Sequence, residues 1–369
     1  MYSLPIFVST FVKMKKRAIP SFVSLVIPWY LENKRDLPWR NTTDPYSIWI
    51  SEIILQQTRV QQGLSYYHSL LQEFPTVQEL AQAPEDKLFR VWQGLGYYSR
   101  ARNLQLGAKL IAENLHGNFP KNFDDWLKVP GVGPYTAAAV SSFAFNFPKA
   151  AVDGNVLRWV SRYLGSKDPI DLPVAKKQIQ NLLDEWIQLA PPHAFNQASM
   201  EFGAMLCTPK KPQCAQCPLQ GECQAFLNGW VDEIPVKQKK TKSTDVYLYA
   251  ALIKNEENSI YVEKRPQQGV WGNLYTLPFF QSPEPLTFEG AIKKLNESFP
   301  NLNTWKLETP EPIIHLLTHR RMHVYIFSNL LDVMPENAYK FGSWISKKEA
   351  KNLGFPRVFE KFLTHTGHL

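Results

Sequence analysis

The chain has 369 residues and a formal net charge of +8, room for two domains with sizeable cores and a balance that favours an anionic partner. No run approaches the roughly twenty apolar residues of a membrane span. The four cysteines fall between Cys207 and Cys223, which argues against a disulfide framework spread through a secreted chain and for a metal site inside the cell.

The apolar N-terminus, Met1–Val12, contains Pro5 and has Lys13, Lys15, Lys16 and Arg17 behind it, the reverse of a secretory signal. Residues 1–18 read as a disordered tail, or as the product of a start codon placed upstream of Met14. From Ile19 the pattern is helical. Ser21–Leu31 is a first amphipathic segment. Asp44-Pro45 opens a helix with Asp as N-cap and Pro in the first position, running through Ile48–Leu55 and towards Leu70. Further helix starts are expected at Thr76, Asp86, Ser99, Asp124, Thr136 and Asp171. β-like alternation is missing as far as Phe226, so residues 19–230 are expected to form an all-α domain.

Within that stretch, Pro130 ends one helix, Gly131 and Gly133 permit a tight turn with φ > 0, and an Ala-rich helix begins at Thr136. Free N–H groups at such a helix start suit a phosphate; the same pattern also serves as a plain corner between helices. Asp153, before Gly154-Asn155, reads as a helix N-cap or as a functional carboxylate. The residues alone leave both open.

The cysteines are spaced Cys207-x6-Cys214-x2-Cys217-x5-Cys223. Four thiolates on one short loop suit zinc or an iron–sulfur cluster, but zinc ribbons place two close pairs well apart. Residues 231–244, with Lys237, Lys239, Lys240 and Lys242, form a polar, basic linker. Beyond it, Val246–Ile253, Ser259–Glu263 and Met322–Phe327 alternate as strands, and Thr287–Ser298 and Arg357–Thr364 read as helices. Residues 245–369 therefore form a small α+β domain.

The cysteine spacing resembles the [4Fe-4S] loop of the endonuclease III family. With that loop C-terminal to Val129–Val140, a series of landmarks appears: Asp36-Leu-Pro-Trp-Arg40, Ser51–Thr58, Gly94–Arg102, Val152-Asp-Gly-Asn-Val156 and Phe195-Asn-Gln197. Their order resembles the MutY-type adenine DNA glycosylases of the helix-hairpin-helix superfamily, over nearly all of residues 21–369. The resemblance implies a [4Fe-4S] cofactor on Cys207, Cys214, Cys217 and Cys223, a structural element whose Lys210 and Lys211 meet the DNA backbone.

Breaking an N-glycosidic bond through an oxocarbenium-like transition state suits two carboxyls. Trp49, Ile50, Ile53, Ile54 and Leu55 flank Glu52, so desolvation would keep it protonated unless it simply reaches solvent. The resemblance makes it the acid that protonates adenine at N7, makes Asp153 the carboxylate that stabilises or traps the sugar cation, and gives Tyr135 and Asn155 positioning roles. In bifunctional relatives a lysine stands where this chain has Tyr135; a phenol cannot form a Schiff base, and neither Lys128 nor Lys149 occupies that position. Gln57 and Tyr97 match residues that wedge beside the opposite base, with Leu55, Thr58 and Leu95 around them; on pattern alone they are a polar helix stripe and a core edge. Trp39, Arg40 and Gln197 match the pocket for the flipped adenine. Gly131 and Gly133 match the DNA-binding hairpin, and Arg100 and Arg102 are candidate phosphate contacts.

Arg265–Pro278 resembles the MutT-like (Nudix-like) domain of the same family. Phe288–Ser298 lacks the glutamate array that would hold magnesium, so this domain is expected to read 8-oxoguanine rather than hydrolyse a nucleotide. The family's Phe-Ser-His contact stands here as Leu317-Thr318-His319: hydroxyl and imidazole persist and the aromatic ring is gone. As plain sequence these are turn residues. The expected partner is duplex DNA with A:8-oxoguanine or A:G mispairs, bound by a monomer in the cytoplasm, at the nucleoid of a bacterial-type cell. A bifunctional pyrimidine-lesion glycosylase/lyase and a non-catalytic mismatch-binding protein are the alternatives; Tyr135 weighs against the first, and Glu52 with Asp153 against the second.

Overall fold

The structure, a computed structural model, describes residues 20–238, 243–300, 302, 304–317, 319–331 and 342–369. The expected N-terminal tail, Lys239, Lys240 and Lys242 of the linker, and Thr318 lie outside the described residues. Two compact units are present: Met1–Val60 (its described part) with Thr76–Gln78 and Leu106–Lys239, and Gln61–Pro75 with Glu79–Gln105 and Lys240–Leu369.

The helices in chain order are α1 (Ile27–Asn33), α2 (Pro45–Leu55), α3 (Val60–Glu73), α4 (Val77–Gln82), α5 (Glu85–Trp92), α6 (Ser99–Lys109), α7 (Phe123–Trp126), α8 (Pro134–Phe145), α9 (Gly154–Leu164), α10 (Pro173–Trp186), α11 (Pro192–Met205) and α12 (Gln224–Leu227). No strand precedes Thr244 among the described residues. As expected, Asp44 caps α2, accepting from the backbone N–H groups of Tyr46 at 3.3 Å and Ser47 at 2.9 Å.

The expected run of α2 towards Leu70 does not occur. The helix ends at Leu55, Gln57 takes a left-handed φ of 58°, and α3 restarts at Val60. Leu55, Gln56, Gln57 and Thr58 are all compatible with a helix, so local preference does not explain the break. The Gln56 amide is instead drawn to Thr136 at the start of α8, at 3.2 Å. Gln57 and Thr58 thus sit on a turn and not along a helix stripe.

The hairpin before α8 also differs in detail. Gly131 has φ 77°, but Gly133 is extended at φ −92° and serves as the N-cap, and the helix begins at Pro134, two residues before the expected Thr136. Proline in a first turn lacks only an N–H that has no helical partner there. Ala137–Val140 are then buried.

The first unit's core forms around Phe22, stacked on Trp159 of α9 at 4.8 Å and edge-on to Phe195 of α11 at 5.0 Å. These rings bring α9 and α11 together closely enough that a Cβ at Gly203 would lie 2.7 Å from the carbonyl oxygen of Asn155.

The second unit adds strands β1 (Thr244–Asn255), β2 (Ile260–Lys264), β3 (Tyr275–Thr276), β4 (Phe279–Ser282), β5 (Lys306–Leu307), β6 (Ile313–Leu316), β7 (Arg320–Leu331) and β8 (Gly342–Ile345), with helices α13 (Phe288–Ser298), α14 (Lys347–Ala350) and α15 (Arg357–His365). The sheet is mixed: β1 pairs parallel with β7, Thr244 opposite Arg320, and antiparallel with β2 and β4. Leu248, Ala250 and Leu252 of β1 pack on the side of Phe359 and Leu363 of α15, and Tyr249, Ala251 and Ile253 on the side of Ala291 and Leu295 of α13. With both faces covered, the alternation expected over Val246–Ile253 is replaced by a continuous buried run in β1.

Replacing Gly203 with alanine forces α11 away from the backbone of Asn155. The expected cost is about 1–3 kcal/mol, as for overpacking elsewhere, read as a lower melting temperature of Gly203→Ala with helical content retained.

Candidate active site

Glu52 lies in the middle of α2 among residues buried on all sides and is itself 3% exposed. Burial, reinforced by the nearby charge of Asp153 and opposed by a hydrogen bond from Tyr135 and the charge of Arg40, pushes its carboxyl up to about 7. Helix α2 therefore delivers a carboxylic acid that still holds its proton near neutrality.

Asp153 caps α9. One oxygen accepts from the Val156 N–H at 2.8 Å and the other from Asn155 Nδ2 at 2.6 Å. Burial raises this carboxyl, and the hydrogen bonds from Val156 and Asn155 work against that rise. The cap reading is borne out as a structural role, and it aims the carboxylate into the same cavity that Glu52 lines.

That cavity, of about 180 Å³, lies wholly within the first unit and brings together Trp39, Arg40, Glu52, Leu55, Thr58, Tyr135, Asp153, Asn155 and Gln197. Tyr135 lies within hydrogen-bonding reach of Glu52 and 3.6 Å from Met200 Sδ. Burial, then the charges of Glu52 and Asp153, hold its phenol well above its usual value, so it stays a donor. No lysine lines the cavity among the described residues. Lys128 is paired with Asp125 at 2.7 Å on the surface, and Lys149 with Asp184 at 2.7 Å.

Sequence reasoning missed several residues here. Arg35, Met200 and Glu201 also line the cavity, and the Tyr30 hydroxyl donates to Gln197 Oε1. A signal for Glu201 was available: it is the lone acid in α11, between Met200 and Phe202 on an otherwise apolar stretch.

Gln57, Leu95, Tyr97, Gly131, Gly133 and His319 do not line this cavity. Leu95 and Tyr97 belong to the second unit, where Gly94, Gly96 and Tyr97 all take positive φ, the last at 48°. The turn is tied by the Trp92 indole N–H donating to the Gly96 carbonyl at 3.1 Å and by Arg100 donating to the carbonyls of Leu95 and Gly96. Tyr97 is half exposed, whereas Leu95 is buried. Arg100 is also buried, its guanidinium against the Trp92 and Tyr97 rings and lowered by burial to about 10. Arg102 donates to the Gly272 carbonyl at 2.5 Å. Both arginines thus have roles inside the fold, and the expectation of phosphate contacts is corrected for Arg100, which faces inward. His319 is exposed on the turn between β6 and β7, closed by the Leu317 N–H donating to the Arg320 carbonyl at 2.8 Å.

The four cysteines line one small cavity of the first unit together with Arg162. Burial pushes the thiols of Cys214, Cys217 and Cys223 up, Cys217 to about 12, so thiolates there need a cationic centre to sustain them. Four thiols around one cavity supply the four sulfur ligands that a [4Fe-4S] cluster needs. Arg162 Nη1 donates to Cys207 Sγ at 3.4 Å, and Arg158 joins this loop to the carboxylate turn: it donates to the Cys207 carbonyl at 2.7 Å, to the Gly203 carbonyl at 2.6 Å and to Asn155 Oδ1 at 3.0 Å.

The HhH-GPD superfamily of base excision DNA repair proteins matches residues 50–188, the iron-sulfur binding domain of endonuclease III residues 207–223, and the NUDIX domain residues 249–365. The adenine DNA glycosylase of Buchnera aphidicola subsp. Baizongia pistaciae is 32% identical over 356 residues, covering 93% of this chain and 96% of its own. The chain belongs to the adenine DNA glycosylase family. The family's mouse member is 30% identical over 406 residues, with 94% and 79% of the two chains covered. A solved thermostable thymine-DNA glycosylase, 30% identical, superposes with a TM-score of 0.52 over 56% of this chain and 95% of that one. Family membership makes the chain a DNA glycosylase of base excision repair, with a [4Fe-4S] cofactor on the four cysteines.

Arg158→Met leaves the buried Gly203 carbonyl and the half-buried Cys207 carbonyl and Asn155 amide oxygen without this donor, a loss of about 1–3 kcal/mol each where no water replaces it. The expected outcome is less iron per protein, measured by metal analysis, together with slower excision.

Proposed function

We propose that this glycosylase is monofunctional and removes adenine paired with 8-oxoguanine or guanine in duplex DNA. The observation that carries this reading is the convergence of Glu52, Tyr135 and Asp153 on one buried cavity whose described lining contains no amine. With an adenine nucleotide turned out of the stack and into the cavity, protonated Glu52 donates to N7, and the electrons of the C1′–N9 bond leave with the neutral base. The Asp153 carboxylate faces the resulting sugar cation and stabilises or covalently traps it. Water then adds at C1′, displacing the Asp153 oxygen where it has bonded and giving its proton to the Glu52 carboxylate, which leaves an abasic site with the strand intact. Asn155 holds Asp153 in place, and Tyr135, which stays protonated, orients Glu52.

Trp39, Arg40, Leu55 and Gln197 surround the base in this reading. Gln57, with Thr58, and Tyr97, supported by Leu95, fill the gap beside the opposite base, and the hairpin at Gly131 and Gly133 meets the DNA backbone. His319, with Thr318, addresses the 8-oxoguanine. The two positive-φ positions, Gln57 and Tyr97, support the wedge role, because strained backbone tends to be retained where a side chain must be aimed. The enzyme works as a monomer on nucleoid DNA.

The test uses purified protein with A:8-oxoguanine, A:G and C:8-oxoguanine duplexes, resolved with and without hot alkali. Adenine release from the first two, strand breaks only after alkali and no borohydride-trapped adduct are expected; release from the last duplex alone would overturn the assignment. Glu52→Gln should slow single-turnover excision at least about 100-fold, the usual scale for loss of a general acid. Because Glu52 acts in its protonated form and its carboxyl sits at about 7, the rate should fall as pH rises through that value. A rate that instead climbs across neutrality would remove Glu52 from the acid role.

A further inference from the structure

One wall of the active cavity is a charged cluster of which the proposed function uses only Arg40, against the base. The Glu201 side chain is wholly buried on α11. Burial alone would push its carboxyl up, but hydrogen bonds from Arg35 and Arg40 outweigh this and hold it down to about 2. Arg35 donates through its backbone N–H at 3.0 Å and Nε at 2.9 Å to Oε1, and through Nη2 at 2.6 Å to Oε2. Arg40 donates through Nη1 at 2.9 Å to Oε1 and Nη2 at 2.7 Å to Oε2. The Arg40 guanidinium is further fixed by the Arg35 carbonyl at 3.1 Å and lies 5.7 Å from the centre of the Tyr30 ring.

Buried ion clusters of this kind are often no more stabilising than apolar packing of equal volume, so fold stability alone is a weak account of it. Its placement offers a better one. The groups that face Glu52 are Tyr135 from α8, Asp153 from the cap of α9, and Arg40 from the 3₁₀ turn Pro38–Arg40, with Arg35 and Glu201 on the same cavity. The Asp153 charge favours a proton on Glu52; the Tyr135 hydrogen bond and the Arg40 charge oppose it. An Arg40 released from Glu201 has a second carboxyl, Glu52, within its electrostatic reach.

We propose that Glu201 is a positioning residue for excision: by clamping and neutralising Arg40 it keeps that cation from stripping the proton that Glu52 must deliver. This rests on Glu52 being the acid. Removing the Glu201 charge should draw the alkaline limb of the rate profile to lower pH, and removing the Arg40 charge should move it the other way.

The experiment is single-turnover adenine release from an A:G duplex between about pH 5 and about pH 9, for the full-length protein carrying Glu201→Gln, Arg40→Gln or both. A shift of about one pH unit downward is expected for Glu201→Gln, within the usual range for a charge placed beside a carboxyl. A similar upward shift is expected for Arg40→Gln, and a limb near that of the unmodified enzyme for the double variant. Changes in plateau rate report base binding or packing; the position of the limb reports the proton. Coincident limbs in all four proteins would overturn the proposal. Should Glu201→Gln not fold, Arg40→Gln decides: an unmoved or lowered limb overturns it and a raised limb upholds it. Absence of any adenine release by the unmodified enzyme would instead sink the functional reading on which it stands.

Discussion

The start of α9 is the constraint from which the rest of the site follows. One carboxylate, Asp153, closes the helix through the Val156 N–H and holds the Asn155 amide with its other oxygen. Asn155 in turn accepts from Arg158, whose guanidinium also reaches the backbone of the first cysteine ligand. The cap and the carboxylate proposed to face the sugar cation are therefore the same feature seen at two scales. A helix N-terminus tolerates negative charge, so a buried carboxylate there is both oriented and sustained. The glycine at 203 admits this turn because any side chain there would meet it.

Three acids around one cavity are treated in three ways. Glu52 has little besides the Tyr135 phenol to sustain a charge, so burial wins and the proton stays. Glu201 is also hidden from solvent, yet five donors from two arginines overcome the penalty of its burial. Asp153 lies between these extremes, raised by burial and restrained by two local donors. Hydrogen-bond supply set against burial separates an acid from its conjugate base here, the pattern that assigns roles to paired carboxyls in other glycosidic sites.

Features controlled by neighbours in the chain were legible from sequence. Asp44 behaves as the cap its position suggests, the helix read from Thr287 forms with that residue as its cap, and the apolar residues around Glu52 announce its burial. Features made by distant partners were not. Arg35 and Glu201 are 166 residues apart, and nothing local to either reveals the other. The break after Leu55 occurs among residues that would continue a helix, and β3 and β5 are two residues each, too short to show alternation. The grouping of Gln61–Pro75 and Glu79–Gln105 with the C-terminal residues likewise leaves no periodic trace in a helical sequence.

The left-handed backbone at Gln57 and Tyr97 carries a further consequence for how such a chain tolerates change. An L-residue in that region is less comfortable than glycine by about 1 kcal/mol or more. Drift to glycine at either position would run thermodynamically downhill while deleting the amide or the phenol. On the wedge role proposed for these two side chains, fold robustness and repair competence pull against each other at the two turns, and a consensus drawn only for heat resistance would erode the enzyme there first.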